Sequence, residues 1–269
     1  MLRWFVATAL TVGMVVGAAM PSRADVLDDI KARGTLVVGV KADYKPFGFR
    51  DPSGAIVGVE PALATDVAKK LGVKLELVPV VSANRMEFLQ QGKIDLMIAT
   101  MSDKPERRRI VQVIEPLYYA DFVNVLLPKA SPVKTWEELK GKKICGTSGA
   151  WYNKPVAEKY GAEIVAFDGS DKPLLSLKTG DCAGYLYDQT FVVGKLGDPD
   201  WKDYGMPLPG ILEAPWAIGV KMGEDRFKKV MEDISVDWMK TGRIVELEKT
   251  WGVPPTEYAV RLHEQYKSK

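Results

Sequence analysis

Hydroxyl groups and a guanidinium follow one another closely in segment 94–108, whose residue types suit the binding of a carboxylate. The segment begins with an apolar run interrupted by one aspartate, which predicts a buried strand. Thr100 and Ser102 come next, and a proline then opens a helical turn that carries Arg107, as proline suits the first helical position. Arginine's planar fork matches the two oxygens of a carboxylate and stays charged at physiological pH. The alternative is that Arg107 is one charge of a solvated run, 107–109.

The elements around this segment determine which other polar groups it meets. Sequence patterns predict strands at 35–40, 74–80 and 94–99, and helices at 60–71 and between Ser82 and Gly92. This β-α-β-α-β order predicts parallel strands with helices on the faces of the sheet. Ligands of such sheets bind beyond the C-terminal ends of the strands, so functional residues are expected there.

Polar and aromatic residues follow all three predicted strands. They are Lys41, Asp43, Tyr44 and Phe47 after the first, Ser82 and Arg85 after the second, and Thr100, Ser102 and Arg107 after the third. Three cations on one rim, with hydroxyls and an aromatic ring, predict a site for a small anionic or zwitterionic ligand. Each has an ordinary alternative: Arg85 pairs with acidic neighbours, Lys41 is solvated, and Tyr44 belongs to the core.

The second half of the chain repeats the alternation. A capping box at 135–138 predicts a helix that ends at Gly141, and a short strand then leads into the small-residue turn 147–151. Such a turn exposes backbone N–H groups at a helix N-terminus, which can hold a carboxylate. A further strand at 182–187 ends at Asp188. Asp188 either caps the following helix, the usual role of aspartate there, or supplies the anion that a ligand's ammonium group needs.

The composition argues against several classes of protein. Residues 1–24 combine a basic start, an apolar stretch and small residues before position 25, which predicts a cleavable signal peptide; a membrane anchor is the weaker alternative. This segment holds two of the 37 basic residues and none of the 35 acidic ones, so the rest of the chain has 35 of each. A net charge of zero argues against nucleic acid and membrane surfaces as partners. The single histidine, His263, is expected at the surface, which argues against a histidine-built metal site and a Ser-His-Asp triad.

Two cysteines, Cys145 and Cys182, fall in short strand-like runs. In an exported protein an even number of cysteines favours a disulfide, and the alternative is two buried thiols that act as small apolar side chains. A bridge would stabilise the fold by roughly 3–4 kcal/mol in the chain-entropy model.

Ordered motifs along the mature chain resemble one protein family. They include GTLVVGVKADYKPFGF, KIDLMIATMSDKPERR, ELKGKKICGTSGAWYNKPVAEKYG and LKTGDCAGYLYDQT. These strings resemble the amino-acid-binding family of bacterial extracytoplasmic solute-binding proteins, family 3, which deliver substrates to ABC importers. The resemblance implies the α/β, type II periplasmic-binding-protein fold, with two lobes that each contain a mainly parallel sheet flanked by helices and that are joined by two crossing strands. It places lobe 1 at 25–118 plus 216–269 and lobe 2 at 119–215.

The resemblance also implies roles for ten residues. The α-carboxylate of an amino acid would be bound by Arg107, with help from Ser102, the backbone near Thr100, Thr147 and Ala150. The α-ammonium would be bound by Asp188, and the ligand side chain would lie near Tyr44, Ser82, Arg85 and Lys41. The VSANRM string resembles the branch of the family that includes glutamate and aspartate binders. In that branch the arginine at the position of Arg85 reaches the side-chain carboxylate of the ligand. Trp151 could instead narrow the pocket, which would favour a smaller or more apolar ligand side chain.

The function implied is binding without catalysis. A monomeric periplasmic protein would capture a polar, acidic L-amino acid by hinge closure and deliver it to ABC permease subunits in the membrane, without a cofactor or metal. Two alternatives are a cyclohexadienyl or prephenate-type dehydratase on the same fold, for which Glu60 is the candidate acid, and a periplasmic ligand-sensing module.

Overall fold

The computed structural model describes residues 25–268, and the elements below lie within that range. The strands are β1 (Thr35–Val40), β2 (Asp43–Tyr44), β3 (Gly48–Arg50), β4 (Ile56–Val57), β5 (Lys74–Pro79), β6 (Leu96–Ser102), β7 (Val111–Val113), β8 (Tyr119–Pro128), β9 (Lys143–Thr147), β10 (Glu163–Phe167), β11 (Gly184–Asp188), β12 (Tyr204–Gly205) and β13 (Ile211–Lys221). The helices are α1 (Val26–Arg33), α2 (Val59–Leu71), α3 (Arg85–Gln90), α4 (Pro105–Arg108), α5 (Asn153–Tyr160), α6 (Asp171–Lys178), α7 (Gln189–Leu196), α8 (Asp225–Thr241), α9 (Arg243–Thr250) and α10 (Glu257–Tyr266). Two 3-10 helices cover Glu137–Leu139 and Pro199–Trp201.

A ten-stranded sheet runs through both halves of the molecule. Its order is β10-β9-β11-β8-β13-β6-β1-β5, with β12 beside β8 and β7 beside β13. Strands β5, β1 and β6 are parallel to one another, as are β10, β9 and β11. Parallel neighbours need crossover connections, and helices α2, α3, α5 and α6 lie in them. The predicted α/β class with two mainly parallel groups of strands is confirmed.

Two long antiparallel strands, β8 and β13, join these groups. Tyr119 pairs with Trp216 and Asp121 with Ala214, while β8 also pairs with β11 and β13 also pairs with β6. Since β8 borders the strands of one half and β13 borders those of the other, the β8–β13 pairing is the only sheet connection between the halves within residues 25–268. We propose the boundaries given above for the two lobes, 25–118 plus 216–269 and 119–215, because both chain crossings occur at β8 and β13.

The helices of lobe 1 pack through apolar stripes. On α8 the buried apolar side chains include Phe227, Met231, Ile234 and Trp238, each at most 4% exposed. The expectation for His263 was wrong, because this residue of α10 is half-buried and its Nδ1 lies 2.9 Å from the carbonyl oxygen of Met239 at the end of α8. Burial between two helices gives the imidazole a structural partner.

Two element predictions in lobe 2 differ from the structure. The capping box at 135–138 opens a single 3-10 turn and not an α-helix, although Glu138 accepts hydrogen bonds from the backbone of Lys134 and Thr135. The turn 147–151 does not lead directly into a helix, because α5 begins only at Asn153. The capping hydrogen bonds of Glu138 are therefore present, while the packing around the turn limits its length.

The disulfide prediction is confirmed. Cys145 in β9 and Cys182, just before β11, are joined with an S–S distance of 2.03 Å and a Cα–Cα distance of 5.6 Å. The bridge links neighbouring parallel strands of lobe 2.

Among residues 25–268, no helix combines the length and the apolar character that crossing a bilayer requires. The predicted signal peptide, residues 1–24, lies outside the described residues.

Candidate functional site

Arg107 is buried at the boundary between the lobes, with 5% of its surface exposed. Its Nη1 donates to the carbonyl oxygen of Ser102 and its Nη2 donates to that of Gly149 in lobe 2, both at 3.0 Å. Burial lowers the pKa of Arg107 to about 10, so the guanidinium is still charged at neutral pH. The alternative of a solvated charge run fails for this residue, whereas Arg108 and Arg109 are exposed.

The turn that follows β9 presses against lobe 1 at the same place. Trp151 Nε1 donates to Ser102 Oγ at 3.0 Å, and the ammonium of Lys104 lies 3.2 Å from the ring centre of Trp151. Gly149 has φ +78°, and a Cβ there would lie 2.7 Å from the carbonyl carbon of Ser82. Only glycine tolerates both the left-handed backbone and this close approach. The lobes are therefore closed on each other around Arg107.

Asp188 ends β11 in lobe 2 and occupies the N-cap position of α7, but its carboxylate makes no capping bond to that helix in the described structure. Asp121 of the crossing strand β8 takes this role, since its Oδ2 accepts from Thr190 N at 3.0 Å and from Thr190 Oγ1 at 2.6 Å. Burial raises the pKa of Asp188, and the charge of Arg85 acts in the opposite direction. The capping alternative is therefore wrong, and the carboxylate is left for other partners.

The charges of Asp188 and Arg107 also act on each other. Asp188 raises the pKa of Arg107, against the larger effect of burial. Asp188 is 7% exposed, and Tyr152 donates toward its carboxylate. A guanidinium from lobe 1 and a carboxylate from lobe 2 thus share one buried region.

Tyr44 is completely buried and joins the lobes through an aromatic cluster. Its ring centre lies 5.5 Å from Phe47 and 5.9 Å from Trp216, and on the lobe 2 side 5.4 Å from Tyr187 and 5.1 Å from Phe191. The pairs with Phe47, Trp216 and Phe191 are edge-to-face, and such pairs stabilise packing beyond area burial alone. The hydroxyl lies 2.8 Å from Thr190 Oγ1, and because that threonine donates its hydrogen to Asp121, Tyr44 is the donor. The core alternative for Tyr44 describes most of its contacts.

Lys41 and Arg85 are two further buried basic residues of the site, in addition to Arg107. Lys41 is 0% exposed and its ammonium lies 3.2 Å from Asp43 Oδ1, in an ion pair that lacks hydrogen-bond geometry. Arg85 donates from Nη1 to the carbonyl oxygen of Ala99, and its buried Nε has no acceptor among residues 25–268. Burial lowers the pKa of both groups. Two buried donors without acceptors are what a bound anion would satisfy.

Thr100 departs from the role predicted for it. The residue has φ +47°, and its N–H donates to Glu60 Oε1 at 2.6 Å, so this N–H does not assist Arg107. Tyr118 donates its hydroxyl to the same oxygen at 2.6 Å. Burial raises the pKa of Glu60 to about 7, although both hydrogen bonds and the charges of Lys41 and Arg85 lower it. The fixed Glu60 carboxyl holds the end of β6 in its unusual backbone conformation.

Thr147 and Ala150 already have partners within the turn after β9. Thr147 Oγ1 lies 2.8 Å from the hydroxyl of Tyr185, and the N–H of Ala150 donates to the carbonyl oxygen of Thr147 at 3.1 Å. Thr147 can donate to a ligand only when Tyr185 is the donor of their shared bond. The N–H of Ala150 is used, which corrects the idea that this group is open to a carboxylate.

Sequence reasoning missed a contact at the edge of the cleft. Ser170, the N-cap residue of α6 in lobe 2, donates from its backbone N–H to Asp43 Oδ2 and from its hydroxyl to the carbonyl oxygen of Asp43, both at 2.9 Å. A serine before a helix usually caps that helix, so nothing local in the sequence indicates a partner in the other lobe.

The buried, opposite charges of Arg107 and Asp188, one from each α/β lobe, agree with the comparisons with known proteins. The family described as "Bacterial extracellular solute-binding proteins, family 3" matches residues 36–254. The chain belongs to this family. The prediction from the motifs is confirmed at this level.

Named relatives and a solved structure are similar over most of the chain. The ABC transporter glutamine-binding protein GlnH of Bacillus subtilis is 30% identical over 87% of this chain and 87% of its own length. The glutamate/aspartate import solute-binding protein of Escherichia coli is 26% identical over 93% of this chain and 88% of its own. The crystal structure of the cysteine-binding protein from Campylobacter jejuni matches with a TM-score of 0.80 at 25% identity, over 88% of this chain and 94% of that one.

Proposed function

We propose that this family 3 protein is the substrate-binding component of an ABC amino-acid importer. The observation that carries the proposal is the pair of buried opposite charges, Arg107 from lobe 1 and Asp188 from lobe 2, in one closed region. An α-amino acid presents a carboxylate and an ammonium at a fixed short separation. Arg107 binds the carboxylate, and Asp188 binds the ammonium.

Closure follows from the cost of burying these charges. A buried charge is unfavourable unless it is paired. Arg107 and Asp188 lie in different lobes, so only the closed arrangement pairs both ends of the ligand. An amino acid that binds this arrangement better than the open one shifts the population toward it.

The side chain of the ligand lies toward Lys41 and Arg85, with Ser82 beside them. Lys41 and Arg85 bring two cations with unsatisfied donors, which suits an oxygen-rich, polar and acidic side chain. Relatives named for glutamine and for glutamate/aspartate support a polar side chain, and the acidic one is the finer proposal.

Delivery of the ligand requires a membrane permease. The closed form, with both lobes in fixed relative positions, is the state that docks to the permease subunits. The protein acts as a monomer outside the cytoplasm, and the signal peptide at residues 1–24 directs its export.

A thermal-shift screen of the twenty amino acids and common organic acids tests the ligand class. We expect L-glutamate and L-aspartate to raise the melting temperature, because binding only to the native state stabilises it by mass action. At a ligand concentration one hundred times Kd the stabilisation is about 2.7 kcal/mol. A screen in which only neutral apolar or cationic amino acids raise the melting temperature contradicts the acidic proposal, and one in which no amino acid does contradicts the proposed function.

A dehydratase remains the second candidate because of one observation. Glu60 has a pKa raised by burial to about 7, a range that suits a proton donor at neutral pH. The arginines and Lys41 would then bind two carboxylates of a prephenate-like acid. Product formation from prephenate by the purified protein, absent in Glu60→Gln, would support this candidate over binding alone.

A further inference from the structure

Four ionisable groups surround the proposed side-chain region and balance one another. The cations are Lys41 and Arg85, and both are almost fully buried. The acids are Asp43, which pairs with Lys41 at 3.2 Å, and Glu60, whose charge acts on both cations. When all four are ionised, the net charge is zero. If a ligand carboxylate joined the four ionised groups, the buried region as a whole would carry a net charge of −1.

Both acids of this set have one buried oxygen without a hydrogen bond, Asp43 Oδ1 and Glu60 Oε2. Asp43 Oδ1 is in the ion pair with Lys41, whereas no ion pair of the described residues engages Glu60 Oε2. Glu60 Oε1 accepts from Thr100 N and from the Tyr118 hydroxyl, both at 2.6 Å. Its Oε2 is buried and has no hydrogen-bond partner within residues 25–268. An ionised carboxylate with one solvent-free, unpaired oxygen is costly, whereas a neutral carboxyl can carry its hydrogen on Oε2 and donate it.

We propose that the protonation state of Glu60 selects the side chain of the ligand; this rests on the amino-acid binding proposed above. With Glu60 neutral, Lys41 and Arg85 together exceed Asp43 by one charge, and an acidic side chain restores the balance. The proton is taken up from solvent on binding, and the O–H at Oε2 is a donor for the side-chain carboxylate. With Glu60 ionised, the four groups are already balanced, and an uncharged amide side chain is accepted in place of the acid.

The groups that face Glu60 set the pH range of this selection. They are Lys41 after β1, Arg85 on α3, the Thr100 N–H at the end of β6 and the Tyr118 hydroxyl before β8. Burial raises the pKa of Glu60 to about 7, and all four of these neighbours lower it. The neutral form therefore prevails below about pH 7, so the preference for an acidic ligand is present at low pH and is lost as the pH rises through 7.

The test measures L-glutamate and L-glutamine by isothermal titration calorimetry from pH 6 to pH 8. Linkage predicts about tenfold weaker glutamate binding at pH 8 than at pH 6, with glutamine changing in the opposite direction or by less than about twofold. The ratio of the two dissociation constants is the readout. Titration of Asp188 or Asp121 affects both amino acids equally and cancels in this ratio. Titrations in two buffers of different ionisation enthalpy should show proton uptake with glutamate above pH 7.

Two variants separate Glu60 from other buried acids. Glu60→Gln keeps an oxygen acceptor for Thr100 N and Tyr118, and it fixes a neutral, donating side chain. We expect the glutamate-to-glutamine ratio of this variant to stay at its low-pH value across the whole range. The matched control is Glu248→Gln, since Glu248 is also fully buried, has a pKa raised by burial, and pairs with Thr256 away from the site. This control should retain the pH dependence.

The outcomes distinguish this inference from the function on which it rests. If both amino acids bind but their ratio is constant with pH in the unmodified protein, the inference is wrong and the amino-acid function stands. The same follows if Glu60→Gln keeps the full pH dependence of the ratio. If neither amino acid binds at any pH, the side-chain proposal and this inference both fail.

Discussion

Replacing Arg107 by alanine is expected to weaken amino-acid binding by at least about 3 kcal/mol, or more than about 100-fold in Kd. The guanidinium is buried and donates to the backbone of both lobes, at Ser102 and Gly149. Its loss leaves a ligand carboxylate without its main partner and also removes a bond that holds the lobes together. Calorimetry with the amino acid that gives the largest thermal shift measures the effect.

The matched control is Arg109→Ala, two residues further along the same charge run and exposed. We expect its Kd to remain within about twofold of that of the unmodified protein, because exposed charges contribute little. An Arg107→Ala protein that folds and binds with nearly unchanged affinity would remove this residue from the site.

Removing the disulfide is expected to lower the free energy of unfolding by roughly 3–4 kcal/mol. Cys145 and Cys182 are 37 residues apart in sequence, and their bridge restricts the unfolded chain. Chemical denaturation of the Cys145→Ala/Cys182→Ala double variant measures the change in midpoint. The slope of the transition is expected to report any loss of unfolded-state compactness.

The unmodified protein under strong reductant serves as the control for this pair. It should approach the stability of the double variant, since the same covalent link is absent. Equal stability of the oxidised protein and the double variant would show that the bridge contributes nothing, and the chain-entropy argument would not apply here.

Much of the fold was predictable because its signals are local. Strand β1 was predicted with its observed bounds, and β5, β6 and α2 were predicted to within a few residues. These elements have strong hydrophobic periodicity and end at glycines or polar residues. The gathering of polar residues after the predicted strands 35–40, 74–80 and 94–99 was predictable as well, since the C-terminal ends of parallel strands meet at one edge of a sheet.

The partners of the site residues were not predictable, because they come from distant parts of the chain. Asp188 sits where an aspartate normally caps a helix, and only the three-dimensional arrangement shows that Asp121 performs this task. Likewise, the Ser170 backbone binds Asp43 across the cleft. These contacts join residues 69 and 127 positions apart, and local sequence patterns carry no signal of contacts over such separations.

The role that the motif implies for Thr100 depends on which residues contact it in the folded protein. The motif suggests that the backbone there faces a ligand carboxylate. Instead, Glu60 on α2 and Tyr118 before β8 form a hydrogen-bonded group around it. Glu60 was a candidate acid from the sequence alone. Its hydrogen-bond partners, Thr100 and Tyr118, lie in other parts of the chain, and sequence patterns do not link these parts to α2.

The central claim is that Arg107 and Asp188, one from each lobe, hold the two charged ends of an amino acid. Calorimetry of the unmodified protein and Asp188→Asn with L-glutamate and with glutarate, which lacks the ammonium group, tests it most directly. We expect the unmodified protein to bind glutamate at least about 100-fold more tightly than glutarate, as for a buried charge that loses its partner. Asp188→Asn should reduce this preference by at least about tenfold. An equal preference in both proteins would contradict the claim.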